Sequence, residues 1–591
     1  MRLSDYVFER VEKAGVDSVF LVTGRGALFL TDALAKNEKL KHFCMHHEQA
    51  ASYAANAYAQ LKNDIGVCLV STGCGSTNAV TGVLTAWQDG LPVVFISGQN
   101  TLRETQAHTG LAIRTFGQQE SDIVSIVNSI TKYAVTVQDP NDIGAVIDEA
   151  FYLANSGKKG PVWIDIPLDI QSARIEPQEL KRNIFNSTIK SITLNDLDFL
   201  RSSLKSSVRP IIVIGAGVRA SETELRLKEF SETNQIPVVY TGSSPDIYSL
   251  SNDLCIGSFG SMGCSRAGSF AVQNSDLVLV LGNRLNSLTT GIDFCKFGRE
   301  ATTIVVDIDA VEHSKESVKI DRLILADLAQ FFEDIGVDKL TGDISSWVDK
   351  TKSWKMLWSK EAYFINEEKI DLYQLCNALS INLNNDANVI TDSGFVEVIL
   401  PTNMDFGAGR RSVHPYSQGA MGYSIPAVVG AFAASKNQLV VVVGDGSFMM
   451  NMQELESIRH HKIPVKLIVI NNNVYSIIER RQKELFRRRT IGTNPDDGVT
   501  VPDFKKLAQV FDMSYYLIES PSQLDNQISN VLSMDGPVLC EIMGRHDQQY
   551  IEVANAKTST GKFVRRPLED QWPFINRELL LSEMIIDPID L

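Results

Sequence analysis

The sequence predicts an α/β protein of three doubly wound domains, each built around a parallel β-sheet. Two observations predict this class. Valine- and isoleucine-rich runs of the buried-strand type alternate with helical patterns along the chain, which indicates α/β layers. The chain also has 591 residues, too many for a single hydrophobic core, so about three or four domains are expected.

The alternation divides the chain into three blocks separated by polar segments. Strands are expected near Ser18–Val22, Val67–Ser71, Val93–Ser97, Val162–Asp165, Pro210–Ile214, Val238–Thr241, Leu277–Leu281 and Thr303–Asp307. The predicted order is a first domain (1–172), a linker (173–195), a central domain (196–340), a second linker (341–369), a third domain (370–545) and a C-terminal tail (546–591). The first and third blocks have similar size and layout, which suggests internal duplication, although no clear sequence repeat is present.

Composition and charge argue against several classes of function. The net charge of -15 argues against general nucleic-acid binding. The eight cysteines form no CxxC pair, so zinc sites and a disulfide framework are not expected, and reduced thiols suit a cytoplasmic protein. The segment Met1–Asp5 opens an amphipathic, charged helix rather than a signal peptide, and no apolar run approaches the ~18 residues of a membrane span.

The most informative stretch of the chain begins with a valine-rich strand, Gln438–Val443. Gly444 and Gly446 follow it, and glycines let the backbone turn tightly and come close to an anion. A helix is predicted from about Phe448 to His461, directly after Ser447. The N-terminal N–H groups and the positive dipole end of such a helix suit a phosphate group, so a phosphate site is predicted at the end of this strand.

An acid and an amide accompany this turn. Asp445 lies between the two glycines, and Asn472 follows the next predicted strand, Lys466–Ile470, 27 positions later. Because the carboxyl ends of parallel strands meet at one edge of the sheet, the two side chains are expected to lie together. Mg2+ prefers a few protein oxygens completed by phosphate oxygens, so the pair predicts a Mg2+–diphosphate site. For the Gly-Asp-Gly turn alone, a plain strand–turn–helix without a ligand is an equally good interpretation.

This spacing resembles the binding motif of thiamine diphosphate enzymes. By that resemblance the carbonyl of Val474 completes the metal ligands, and Gly444, Gly446 and Ser447 contact the diphosphate. The cofactor needs a carboxyl group beside N1′ of its pyrimidine, so that this ring can take the proton from thiazolium C2. Glu48 is the candidate, because it opens an alanine-rich helix suited to close packing. By position alone, a surface glutamate at a helix start is the simpler interpretation.

Further segments resemble acetohydroxyacid (acetolactate) synthases and their relatives, in order over about residues 1–545: His47–Gln49, Ser71–Asn78, Ser97–Gln99, Gln118–Val124, Gly160–Pro167 and Gly419–Tyr423. The resemblance implies a pyrimidine-binding, a central and a diphosphate-binding domain. It implies that Gln119 contacts the reaction intermediate, that Met421 lies under the bend of the cofactor, and that the Gly419 carbonyl accepts from the 4′-amino group. Further cofactor contacts are implied at Gly24, Gly73, Asn78 and Tyr475.

In that family the two cofactor-binding domains belong to different subunits. The resemblance therefore implies a homodimer or homotetramer, with Glu48 of one chain serving Asp445 of another. It also implies FAD in the central domain, at Gly215, Gly217, Gly260, Gly282, Arg284, Asp307 and Asp309. From the Gly215-Ala216-Gly217 turn alone, a tight strand–helix connection without a ligand is equally well supported.

The chain departs from the synthases at two cationic positions. No arginine stands in Leu285–Gly291, where the family carries an aspartate–arginine pair, and Leu168 replaces a lysine of the family. A site for a charged acceptor should carry such a cation, so an acceptor that is uncharged near its carbonyl is expected, such as an aldehyde or a keto-sugar. The basic stretch Tyr475–Arg489 resembles a branch associated with surface-polysaccharide sugar biosynthesis; for its basic cluster alone, a solvated charged loop is the simpler interpretation.

These observations predict a carboligase that depends on thiamine diphosphate, with Mg2+ and FAD as further cofactors. It is expected to decarboxylate a 2-ketoacid, with pyruvate as the first candidate, and to transfer the two-carbon unit to a carbonyl acceptor. A nucleotide-linked keto-sugar is one such acceptor. The alternatives are acetolactate synthase proper, a decarboxylase that releases an aldehyde, a flavin-dependent oxidase and a non-catalytic relative. The intact Glu48 and Mg2+ motif argue against the last of these. Small-molecule substrates are expected, without a nucleic-acid or membrane partner.

Overall fold

A computed structural model describes residues 1–185, 191–359, 368–407 and 409–589. Within these residues, three six-stranded sheets contain only parallel strand pairs, and helices cover their faces. The predicted α/β class with three doubly wound parallel-sheet domains is confirmed. No helix of the described residues has the length and apolar character that a membrane crossing requires.

The first sheet has the strand order β2-β1-β3-β4-β6-β5. Its strands are β1 (Ser18–Leu21), β2 (Lys41–Cys44), β3 (Gly66–Val70), β4 (Val93–Gln99), β5 (Tyr133–Thr136) and β6 (Val162–Pro167). The helices around it are α1 (Leu3–Lys13), α2 (Leu28–Lys36), α3 (Glu48–Lys62), α4 (Cys74–Thr77), α5 (Val80–Asp89), α6 (Gln106–Thr109), α7 (Ile123–Val127), α8 (Ile143–Asn155) and α9 (Leu168–Ser172).

The central sheet has the order β12-β11-β10-β7-β8-β9, which is the order of dinucleotide-binding folds. Its strands are β7 (Pro210–Ile214), β8 (Val238–Tyr240), β9 (Cys255–Ser258), β10 (Leu277–Leu281), β11 (Thr302–Asp307) and β12 (Arg322–Leu325). Its helices are α10 (Leu194–Ser206), α11 (Gly217–Ala220), α12 (Glu224–Asn234), α13 (Arg266–Gln273), α14 (Ser287–Thr290), α15 (Leu328–Ile335) and α16 (Ser345–Leu357).

The third sheet, β14-β13-β15-β16-β18-β17, repeats the topology of the first, which supports internal duplication. Its strands are β13 (Asn388–Ile390), β14 (Arg411–Val413), β15 (Leu439–Gly444), β16 (Lys466–Asn471), β17 (Ser514–Ile518) and β18 (Val538–Met543). Its helices are α17 (Leu372–Asn382), α18 (Phe395–Asn403), α19 (Ser424–Ala434), α20 (Asp445–Phe448), α21 (Leu455–His460), α22 (Ser476–Leu485), α23 (Phe504–Val510) and α24 (Leu524–Ser533). The tail adds a hairpin, β19 (Asn555–Lys557) and β20 (Phe563–Arg565), and α25 (Arg577–Glu583).

The first and third domains pack through two helices rich in small residues, α3 and α19, which share one hydrophobic core. A Cβ on Gly430 would lie 2.0 Å from the Ala54 carbonyl oxygen, so only glycine permits this approach of the two helices. The rings of Tyr53 and Tyr423 meet at 5.1 Å in the same interface. The alanine-rich helix after Glu48 therefore packs closely, as the sequence predicts.

The segment that contains α16 and the C-terminal tail both pack on the central domain, although their composition suggests irregular structure. Within 341–359, which belongs to the range predicted as a linker, α16 buries Trp347 and Trp354 in the core of the central domain. The tail lies on the same domain, where the buried Arg266 guanidinium donates to the Gln571 and Pro573 carbonyls. The aromatic spacing of α16 and the buried polar contacts of the tail give both segments a structural role.

Candidate active site

The acid and the amide of the Gly-Asp-Gly motif lie at neighbouring strand ends. Asp445 follows β15 and Asn472 follows β16, and these two strands pair in parallel. The Asp445 carboxylate accepts hydrogen bonds from the N–H groups of Gly446 (2.7 Å), Asn472 (3.1 Å) and Asn473 (2.6 Å). Burial raises the pKa of Asp445 to about 6, against the opposing effect of these hydrogen bonds. A cation beside this desolvated carboxylate would restore its charged form.

The oxygens around Asp445 fit a small hard cation that shares its shell with a phosphate ligand. Asn472 Nδ2 donates to Ser476 Oγ at 2.8 Å, and its Oδ1 accepts from the Val474 N–H at 3.3 Å, which orders the loop. No group of three or more His, Cys, Asp or Glu side chains suited to a metal occurs in the described part of the chain. An ion at Asp445 would therefore depend on amide, carbonyl and ligand oxygens, which is the preference of Mg2+ in phosphate sites.

The helix predicted from about Phe448 to His461 is not continuous, so that prediction is wrong. One turn, α20, ends at Phe448; a 3-10 turn, Met452–Glu454, and α21 follow it. Asn451 breaks the run, because its side chain donates to the Gly422 carbonyl at 2.8 Å and to Gln49 Oε1 at 3.1 Å instead of pointing to solvent. The break ties the diphosphate motif to the segment around Met421.

A cavity of about 280 Å3 lies against this motif. Its lining includes the predicted residues Met421, Gly444, Asp445, Gly446, Ser447, Asn472, Val474 and Tyr475. A Cβ on Gly444 would meet no atom within 4 Å, whereas one on Gly446 would lie 1.9 Å from the Tyr475 ring. Gly444 thus leaves space for a ligand, and Gly446 is required by the contact with Tyr475.

A buried acid that sequence reasoning missed organises this cavity. Asp392 follows β13 and accepts from Ser447 Oγ at 2.6 Å and Ser424 Oγ at 3.0 Å. Ser447 Oγ in turn accepts from the Gly422 N–H at 2.9 Å. Burial raises the pKa of Asp392 to about 6. The signal that could have found it is its place in a Thr-Asp-Ser-Gly turn (391–394) directly after a strand, the same arrangement as Asp445.

The first-domain candidates also converge, at the carboxyl end of the first sheet. Glu48 is the first residue of α3, and its Oε2 accepts from Asn78 Nδ2 at 2.9 Å. Gly73 has φ +62°, and a Cβ there would lie 1.9 Å from the carbonyl oxygen of Gln119, which itself has φ +60°. A Cβ on Gly24 would lie 2.4 Å from Ser71 Oγ. These glycines are therefore required by the close packing of the loops that carry Glu48 and Gln119.

A polar network behind these loops was also missed. Gln99 Oε1 accepts from Thr72 Oγ1 at 2.6 Å, and Gln99 Nε2 donates to the Ser121 carbonyl at 2.9 Å. Asp165 of β6 accepts hydrogen bonds from Ser97 Oγ (2.5 Å) and Gln99 Nε2 (3.4 Å). Burial raises the pKa of Asp165 to about 6. Gln99 thereby fixes the two loops that flank Gln119.

Among the described residues, the lining of the cavity at Asp445 includes none from the first domain. Every residue that lines the cavity at Asp445 lies in the range 370–548, so the Glu48 cluster contributes nothing to it. The first and third domains pack mainly through α3 and α19, and Asn451 of the third domain also donates to Gln49, beside Glu48. The arrangement within one chain therefore brings together Asp445, Asn472 and Met421 on one side, and Glu48, Asn78 and Gln119 on the other.

A larger cavity, of about 940 Å3, lies at the point where the strand order of the central sheet reverses, between β7 and β10. Its lining includes the predicted residues Gly217, Gly282, Arg284 and Asp307. Gly215 lies at the adjoining turn, where a Cβ would stand 2.3 Å from the Gly282 carbonyl oxygen, so this glycine is required by the backbone.

Two predicted residues of the central domain have other partners. Gly260 accepts from Gln571 Nε2 at 2.8 Å and so contacts the tail. Asp309 forms an ion pair with Lys158 of the first domain at 2.9 Å. Arg284 donates to the Gln88 carbonyl (2.8 Å) and to Ser417 Oγ (2.6 Å), which links all three domains at the cavity.

The basic stretch after Tyr475 is largely neutralised by carboxylates. Arg480 and Arg481 both form ion pairs with the buried Glu552 of the tail and with Glu484. Arg487 and Arg488, by contrast, are exposed and have positive φ angles. The paired arginines attach the tail to α22, next to the loop of Asn472.

Comparison with known proteins gives a consistent result over most of the chain. Residues 1–126, 197–335 and 392–542 match the N-terminal TPP (thiamine pyrophosphate) binding domain, the central domain and the C-terminal TPP binding domain of the thiamine pyrophosphate enzymes. The acetolactate synthase large subunit of Lactococcus lactis subsp. lactis is 30% identical over 546 residues, 91% of this chain and 92% of the relative. That of Porphyra purpurea is 29% identical over 579 residues, 94% of each. Acetolactate synthase 2, chloroplastic, of Zea mays is 30% identical over 563 residues, 93% of this chain and 86% of the relative.

Proposed function

This chain belongs to the thiamine pyrophosphate enzyme family, and on that premise we propose that it is a carboligase. It would decarboxylate a 2-ketoacid, with pyruvate as the first candidate, and transfer the two-carbon unit to a carbonyl acceptor. The observation that carries the proposal is the pair of Asp445 and Asn472 at neighbouring strand ends, beside a cavity that Met421 also lines. The similarity to acetolactate synthases over more than nine-tenths of the chain supports the same class of reaction.

The residues of the third domain would hold Mg2+ and the diphosphate. Asp445, the Asn472 amide oxygen and the Val474 carbonyl are the proposed metal ligands. The first turn of α20, which includes Gly446 and Ser447, is the proposed diphosphate contact. The Gly446 N–H already donates to Asp445 and the Ser447 hydroxyl to Asp392, so backbone N–H groups from Ser447 onward would face the phosphate. When bound, the cofactor would supply the carbon nucleophile and the electron sink for loss of CO2.

The remaining residues would orient the cofactor and exclude water. We propose that Met421 supports its bent shape, that the Gly419 carbonyl accepts from its 4′-amino group, and that Glu48 hydrogen-bonds the pyrimidine N1′. Gln119 would contact the substrate beside Glu48. Because Glu48 lies outside the cavity at Asp445 in one chain, we propose that the complete site forms between two copies of the chain, in a homodimer or a homotetramer.

The acceptor that we favour is uncharged near its carbonyl. The segment Leu285–Gly291 supplies no arginine, and Arg284 is engaged by Gln88 and Ser417. An aldehyde or a nucleotide-linked keto-sugar would suit such a site, whereas a second 2-ketoacid would leave its carboxylate without a bidentate partner. Acetolactate formation is the second candidate, because the names of the similar proteins favour it.

A product screen tests these functions. The purified protein, with thiamine diphosphate and Mg2+, is incubated with pyruvate alone and with panels of 2-ketoacids, aldehydes and nucleotide keto-sugars, and products are identified by mass. We expect a product two carbons larger than an aldehyde or keto-sugar acceptor. Acetolactate from pyruvate alone would instead support the second candidate. Free acetaldehyde in every incubation, or consumption of oxygen with each turnover, would contradict carboligation.

We further propose that the cavity of about 940 Å3 holds FAD, as its size and its place at the strand-order reversal suggest. Heat-denatured protein should release flavin, detected by absorbance and mass. Ser243 lines this cavity, so Ser243→Trp should fill it and lower the flavin content. Ser251→Trp, on the exposed surface of the same domain, should leave the flavin content unchanged. Equal flavin in both variants, or none in the unaltered protein, would refute the assignment.

A further inference from the structure

A second carboxyl group, Glu397, faces the cavity at Asp445 and has no role in the arrangement described so far. Glu397 lies in the first turn of α18 and lines the same cavity as Met421 and Asp445. One of its carboxyl oxygens is 2.7 Å from the position that a Cβ on Gly419 would take. The acid therefore stands directly against the segment that includes Met421.

The surroundings of Glu397 favour its neutral form. Among the residues that the structure describes, its side chain has no hydrogen bond and no ion pair. Two further acids, Asp392 and Asp89, act on it electrostatically, and the one arginine of the described cavity lining, Arg545, forms ion pairs with Asp371 and Asp547. Much of the remaining lining is apolar, including Phe395 and Val398. Burial, reinforced by these two acids, raises the pKa of Glu397 well above its usual range.

The other acids near the cavity are already engaged. Asp392 accepts from two serine hydroxyls and from the Ser393 N–H, and Asp445 accepts from three backbone N–H groups. Glu48 belongs to the first domain and lies outside this cavity. A neutral carboxylic acid in an apolar pocket can donate a proton or a hydrogen bond to a ligand oxygen. Glu397 is thus the acid of this cavity whose O–H is free for a ligand.

We propose that Glu397 is a catalytic acid that protonates the carbonyl oxygen of the acceptor during ligation. The inference rests on the proposed carboligase function. As the new carbon–carbon bond forms, the acceptor C=O π bond breaks, and its oxygen takes the proton of Glu397, which becomes a carboxylate. When the product ketone forms on the donor carbon, the hydroxyl of that carbon gives its proton to Glu397, and the bond from that carbon to the cofactor would break with its electron pair returning to the cofactor. The acid is thereby restored, and no oxidant or reductant is consumed.

Replacement of Glu397 by glutamine tests the proposal, because the amide keeps the shape but lacks a transferable proton. Two rates are compared with the best acceptor from the product screen: release of CO2 from pyruvate and formation of the ligation product. We expect the ratio of ligation to CO2 release to fall about 100-fold in Glu397→Gln. Glu519→Gln, an exposed glutamate of the same domain, is the matched control and should keep the ratio of the unaltered protein.

A spectroscopic measurement separates this role from a structural one. Infrared difference spectroscopy of the cofactor-free protein, with and without Glu397→Gln, should reveal a protonated carboxyl band at neutral pH that the variant lacks. Absence of that band would overturn the proposal. So would a ratio of ligation to CO2 release in Glu397→Gln that stays within about 3-fold of the control. A variant that loses both rates equally, and also loses cofactor binding, would likewise contradict it. If the unaltered protein releases CO2 but forms no ligation product, the proposed function fails, while the band still reports on the neutral acid.

Discussion

Glu48→Gln is expected to lower kcat for 2-ketoacid turnover by about 10²–10⁴-fold, with little change in the affinity for thiamine diphosphate and Mg2+. The proposed metal and diphosphate contacts belong to the third domain, so the variant keeps them. The variant loses the carboxyl group whose Oε2 accepts a hydrogen bond from Asn78 Nδ2 at 2.9 Å. In the proposed site this group would hydrogen-bond the pyrimidine N1′. Steady-state kinetics measures the first quantity, and cofactor titration followed by protein fluorescence measures the second.

The matched control for this variant is Glu38→Gln, an exposed glutamate of the same domain, which should retain full activity. Undiminished turnover in Glu48→Gln would remove Glu48 from the mechanism. Loss of cofactor binding in parallel with activity would instead indicate that Glu48 supports the structure of the pyrimidine side.

Glu48→Gln can also be used to test whether the site lies between two chains. If Glu48 of one chain serves Asp445 of another, co-expression of Glu48→Gln with Asp445→Asn produces mixed dimers that contain one intact site. Statistical mixing then restores roughly a quarter of the activity, because half of the dimers are mixed and each has one intact site of two. No recovery in a verified mixed dimer would mean that both residues act within one chain.

Sequence reasoning located most of the buried strands, because central parallel strands are continuous apolar runs. It missed the edge strands β2, β5, β12, β14 and β17, whose partly exposed side chains break up such runs. It also missed three buried strands, because β9 and β13 have only four and three residues and Glu541 interrupts the apolar run of β18. It also extended the helix after Phe448 through Asn451, because nothing in the local pattern shows that Asn451 would bond to Gly422 and Gln49. That contact depends on the packing of distant segments.

The residues of the candidate site also divide into those that the sequence predicts and those that depend on tertiary packing. Asp445 and Asn472 could be predicted because their spacing and strand-end positions follow from the topology of a parallel sheet. Asp392 follows a strand in the same way as Asp445 and so has a signal in the sequence, but the role of Glu397 and the raised pKa of both acids could not be predicted. The properties of a carboxyl group depend on burial and on its neighbours, which the sequence does not display. The separation of Glu48 from the cavity at Asp445 likewise follows from the packing of α3 on α19 and not from the spacing of any motif.

Asp445→Asn is expected to weaken binding of thiamine diphosphate with Mg2+ by about 100-fold or more. The variant removes the one carboxylate among the proposed metal ligands, and at least one of the three N–H groups that now donate to Asp445 would face an NH2 group. Isothermal titration of the cofactor at fixed Mg2+ measures the effect. Asn472→Ala, which removes a neutral ligand, should cost less, about 10-fold.

Asp512→Asn, on the exposed surface of the third domain, is the control and should bind the cofactor as the unaltered protein does. Thermal unfolding of each variant separates loss of a ligand from loss of the fold, since a ligand residue affects the melting temperature chiefly when cofactor is present. Binding by Asp445→Asn within about 3-fold of the control would mean that the carboxylate at the end of β15 does not hold the metal. The assignment of the diphosphate site, and with it the proposed carboligase, would then have to be abandoned.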